Sequence, residues 1–102
     1  MTTNKVEKSI FIEAREWFDK TYGNSYFSAR IHVDGKTVGA LRFQYGYESQ
    51  FEYEATKWLL ENGYITERIS PLWRLREQGI DVYTVKYSAN KSETKRFGSL
   101  DF

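Results

Sequence analysis

From Asn24 to Tyr47 apolar and polar residues alternate on both sides of Asp34-Gly35, which predicts a β-hairpin. Asp-Gly suits a two-residue type I′ turn, because both central residues there need positive φ. On the incoming strand Phe27, Ala29, Ile31 and Val33 share one face and Tyr26, Ser28, Arg30 and His32 the other, since side chains alternate with period two. The outgoing strand divides into Gly39, Leu41, Phe43 and Tyr45 against Val38, Ala40, Arg42 and Gln44. Phe27, Ile31, Leu41 and Phe43 are therefore expected in the core.

Before the hairpin, SIFIEAREWF places Ile10, Ile12 and Ala14 opposite Phe11, Glu13, Arg15 and Trp17 if extended. A helix would instead stack Ile10, Ala14 and Trp17. The leading β-branched and aromatic residues, and the turn at Tyr22-Gly23-Asn24, favour a strand that completes a three-stranded meander. After the hairpin, Ser49 with Glu52 three residues on reads as a capping box opening a helix over 50–62. Its stripe of Phe51, Ala55, Trp58 and Leu59 suits the apolar sheet face, and Gly63 ends it. Tyr64-Ile65-Thr66 reads as an extended connector. Ser70-Pro71 then opens a second helix ending at Gly79, with Leu72 and Leu75 inward, Trp73 a third candidate, and Arg74 and Arg76 exposed. Ile80 to Tyr87 reads as a strand whose buried set is either Ile80, Val82 and Thr84 or Tyr83, Val85 and Tyr87. Residues 1–7 are polar and expected to fray. Residues 88–102 are either a mobile tail or an arm that docks Phe97, Leu100 and Phe102 on a neighbouring subunit.

The result is one α+β domain of 102 residues, βββααβ, with an antiparallel sheet covered on one face by one main helix. With no cysteine, disulfides, thiol nucleophiles and thiolate zinc sites are excluded. The opening MTTNKVEKSIF lacks a signal-peptide core, and no run of about 18 apolar residues occurs, so a soluble protein without a membrane partner is expected. A net charge of +1 argues against non-specific duplex binding, which draws its affinity from phosphate neutralisation. The charge is nevertheless uneven, net −3 over 48–62 and net +2 over 85–102.

Tyr26, Arg30, His32 and Arg42 fall on the sheet face away from the core, with Arg15 and Trp17 as second candidates. Rings beside guanidinium groups hold single-stranded bases, because bases stack on both and phosphates pair with arginine. A wet antiparallel face also carries polar residues for solubility alone, which is its commoner origin. At QYGYES a glycine between rings precedes a helix start, but Glu48, Glu52 and Glu54 would repel an anion there, which favours ring packing over a site. The single histidine has no HxxxH or HxE spacing, and GxSxG, P-loop and GxGxxG motifs do not occur. A non-enzymatic binder without metal or cofactor is expected.

The strings FIEAREWFDKTYGNSYFSARIHVDGK and FQYGYESQ, followed by an aromatic helix ending ENGY, resemble a family of small tailed-bacteriophage proteins with no assigned activity. The resemblance spans half to two thirds of the chain, and no catalytic residue carries over from it. It implies a non-virion protein in the cytoplasm of an infected host cell, acting by binding. The leading expectation is a homo-oligomer that sequesters a nucleotide or short single-stranded nucleic acid against host defence. The alternative is an inhibitor or assembly module that binds a host protein.

Overall fold

The computed structural model describes residues 8–66 and 72–99. The expectations for residues 1–7, for Ser70-Pro71 as a helix start and for Leu100 and Phe102 lie outside the described residues. Four strands form one sheet: β1 (Ser9–Asp19), β2 (Asn24–Val33), β3 (Lys36–Tyr45) and β4 (Asp81–Ser88), in the order β3-β2-β1-β4. Helix α1 (Gln50–Glu61) and a 3-10 helix (Leu72–Gln78) separate β3 from β4, and α2 (Lys91–Phe97) follows. The protein is α+β with a mostly antiparallel sheet.

The meander is held by its turns. Asp34 and Gly35 both take positive φ, 51° and 83°, and the Asp34 carboxylate accepts from the Lys8 and Ser9 amides at 2.6 and 3.0 Å. The hairpin turn thereby also fixes the start of β1. At the other end Gly23 has φ 71°, and Asp19 accepts from the Thr21 amide at 2.9 Å. Ile10, Ile12 and Ala14 pair in register with Val33, Ile31 and Ala29, and all six are buried. Phe51, Ala55 and Leu59 of α1, together with Leu72 and Leu75, close the core over that face.

Two bulges in β3 change the expected faces. Where β2 advances from Phe27 to Ala29, its partners step from Gln44 to Leu41, so β3 carries an extra residue. The extra residue turns Phe43 away from the core, where it had been expected, to the side of Tyr26. A second shift, from Gly39 to Thr37 against Ile31 and His32, lets Val38 pack on the core instead of facing away from it. Gly39 is buried directly beneath Trp58, whose ring fills the space a Cβ would need.

Helix α1 starts at Gln50 and ends before Gly63, which has φ 78°. Ser49 is its cap residue, but its hydroxyl makes no capping bond, so the expected capping box does not form. The second helix is 3-10 in character, with Leu72 and Leu75 buried and Trp73 exposed. In β4 the inward set contains Val82, 2% exposed, while Tyr83 and Tyr87 are exposed. β4 is parallel to β1, with Ser9 opposite Asp81 and Glu16 opposite Ser88, so the sheet is not wholly antiparallel. The region read as a tail or arm instead forms α2 over 91–97, packed on the chain's own sheet. Among the described residues no helix is long and apolar enough to cross a membrane.

Candidate nucleotide-binding face

The sheet face opposite α1 carries the candidates side by side. Trp17 pairs with Tyr26, Arg15 with Ser28, Glu13 with Arg30 and Phe11 with His32. This face is not open throughout, because α2 lies across it. Asn90 caps α2, accepting from the Glu93 amide at 2.8 Å while its own amide donates to the Glu93 carboxylate at 2.6 Å. The buried Ser28 hydroxyl donates to the carbonyl of Thr94. Gly98 lets the end of α2 lie against β3, since a Cβ there would meet the Leu41 carbonyl oxygen at 2.7 Å and Arg42 Cα at 3.1 Å.

The six sequence candidates therefore separate. Arg15 and Arg30 both face the ring of Phe97, their guanidinium carbons 4.1 and 4.4 Å from its centre, and Arg30 Nε donates to the Phe97 carbonyl at 3.1 Å. The ring occupies the position where a base was expected to stack. His32 is held by Thr37 Oγ1 at 2.8 Å, by Glu13 at 3.3 Å and by the ring of Phe11, 5.3 Å away. Glu13 also pairs with Arg15 at 3.3 Å. These three candidates serve the chain's own packing.

Trp17 and Tyr26 belong to a row of rings. Trp17 stacks on Tyr26 at 5.5 Å, and Tyr26 on Phe43 at 5.2 Å with only 6° between planes. Tyr45 continues the row edge-on, 5.8 Å from Tyr26. Lysines from α2 sit over it, Lys91 Nζ 5.3 Å from the Trp17 ring and Lys95 Nζ 5.4 Å from Phe43. Arg42 is exposed, and its guanidinium has no partner among the described residues. With Phe43, Lys95, Gly98 and Ser99 it lines a cleft of about 360 Å³. Two cations, a hydroxyl and the side of a ring stack meet there, a donor set for a phosphate beside a base.

Sequence reasoning missed Phe43, Lys91, Lys95 and Ser99. The bulge that redirects Phe43 has no local signature, but Asn90-Lys-Ser-Glu93 is a helix-start pattern that marks α2. Among the described residues no three metal-ligating side chains come together. Compared with family models, curated proteins and solved structures, the chain has no match in any of the three.

Proposed function

We propose that this protein is a non-enzymatic binder of a nucleotide or short single-stranded nucleic acid, held in the cleft of Arg42, Phe43, Lys95, Gly98 and Ser99. The observation that supports it is the convergence of Arg42 and Lys95 on the Phe43 end of the Trp17–Tyr26–Phe43 stack. The cations take the phosphate, and the stack extends onto the base. Arg15 and Arg30 act in this reading by seating α2, which carries Lys91 and Lys95, through the ring and carbonyl of Phe97. His32 acts by packing within the sheet against Phe11, Glu13 and Thr37. The resemblance to phage proteins adds the setting: the host cytoplasm, and sequestration of a nucleotide used in defence, in a homo-oligomer. A host protein is the alternative target, favoured by the exposed rings of Tyr22, Tyr45, Tyr47 and Tyr53.

Native mass spectrometry of protein purified gently from expressing cells tests this reading. The expected result is a retained mass of nucleotide size, lost on denaturation. Arg42→Ala with Lys95→Ala removes that mass and leaves the melting temperature nearly unchanged, because both side chains are exposed. A bare protein that also ignores added oligothymidylate, or a double variant that keeps the ligand, overturns it.

A further inference from the structure

We propose that the cleft between the end of β3 and the start of α1 is a separate site for one cationic side chain, an arginine on a peptide segment of a partner protein. The inference does not depend on the nucleotide reading. The cleft measures about 480 Å³ and is lined by Tyr45, Gly46, Tyr47, Glu48, Ser49, Gln50 and Tyr53. Three of these are tyrosines, 58%, 58% and 48% exposed. The Tyr45 and Tyr47 ring centres are 6.5 Å apart with planes at 76°. Two walls so placed can each present a face to one cation within about 6 Å of both centres. Tyr53 lines the cleft from the first turn of α1.

The loop that carries these rings is fixed from both sides. Gly46 sits against the ring of Phe27, where a Cβ would come within 2.5 Å. The Glu48 carbonyl accepts from Lys86 Nζ at 2.7 Å, and Glu48 holds a positive φ of 55°, uncommon for a residue with a side chain. Lys86 does not line the cleft itself, and its ammonium group also pairs with Glu16 at 3.1 Å.

Charge selects the occupant. Among the described residues Glu48 is the one charged residue lining the cleft, Glu52 lies in the first turn of α1 and Glu54 bonds the lining Gln50. These three carboxylates outweigh the one ammonium group at the Glu48 carbonyl, that of Lys86, so an anion is repelled and a cation drawn in. Tyrosine faces add to this, since the ring quadrupole is negative above the plane. Guanidinium is planar and weakly hydrated, so it stacks on such a ring and leaves water more readily than ammonium. Because Ser49 and Gln50 form a polar rim, the backbone on either side of the arginine has hydrogen-bonding partners.

The test is an NMR titration of the full chain with a capped Gly-Gly-Arg-Gly-Gly peptide, its citrulline counterpart and choline. The arginine peptide is expected to shift the amides of Gly46, Glu48 and Ser49 to saturation, and the neutral citrulline peptide to leave them in place. Tyr47→Ala lowers affinity about tenfold, whereas Tyr47→Phe retains it, because the face and not the hydroxyl binds the cation. Glu48→Gln weakens binding and flattens its dependence on salt. Equal binding of citrulline, an unaffected Tyr47→Ala variant or absence of saturation overturns the proposal. Choline binding as well as the arginine peptide would replace the peptide with a small free cation and overturn it too. Should Tyr47→Ala misfold, Glu48→Gln and the citrulline comparison decide.

Discussion

Gly39 has no side chain because Trp58 lies on its backbone. A glycine inside a strand weakens pairing, and here it permits close approach of a helix. Gly39→Ala is expected to lose about 1–3 kcal/mol through overpacking, measured by urea denaturation. Combining it with Trp58→Leu should recover part of that loss, because the two side chains contend for one space; strictly additive losses would show that they do not. The same strand shows where single residues are legible from sequence. The Asp34-Gly35 turn was readable because its requirement, positive φ at two adjacent positions, is local. The side taken by Phe43 was not, because it depends on a register shift against Phe27 and Ala29, two residues of another strand. Gly39 fell on the expected side, but nothing near it in the chain announces Trp58.

At the scale of elements, the two caps are instructive. Ser49 and Glu52 fit the capping-box pattern, and α1 starts where they predict, yet no hydroxyl bond forms. The apolar stripe of Phe51, Ala55 and Leu59 is sufficient to place it. In α2 the order is reversed. Seven residues with one buried side chain, Thr94, make a helix too short to persist alone, and the Asn90–Glu93 cap and Phe97 hold it. That dependence on tertiary contacts explains why its composition reads as a tail. Gly98→Ala should lift α2, because the atoms it meets include the backbone of Leu41 and Arg42, which cannot yield as a flexible side chain does. The expected outcome is faster tryptic cleavage after Lys91, Lys95 and Arg96 with the β1–β3 meander intact; cleavage at the parent rate would show that the contact yields. Any ligand bound through Lys95 would be weakened by the same change.

At the scale of the whole molecule, the parallel pairing of β4 follows from the path of the chain. β3 ends beside the β1–β2 turn, and α1, about 18 Å long by its twelve residues, is the first element after it, packed across the sheet's apolar face. β4 begins opposite Ser9, at the other end of the sheet, and so runs alongside β1 in the same direction. Alternation within 80–87 identifies a strand but holds nothing about direction, which is why the expected sheet was antiparallel throughout. The meander pairs through short turns, whereas Ser9 finds Asp81 only after the rest of the sheet and α1 have intervened. Non-local pairing carries a loop-closure cost, so pulse-labelled hydrogen exchange should protect the amides of β2 and β3 before those of β4. Simultaneous protection would mean that all four strands form together.

Residues 81–99 contribute the strand that covers the outer edge of β1 and the helix that covers Ser28, and they are also the last of the described residues to leave the ribosome. While they are still in the exit tunnel, a nascent chain presents an unpaired β1 edge beside the bare rings of Trp17, Tyr26 and Phe43. An open strand edge with aromatic residues at its flank is a template for other chains. Stalling during synthesis of this stretch is therefore the stage at which the protein most needs a chaperone.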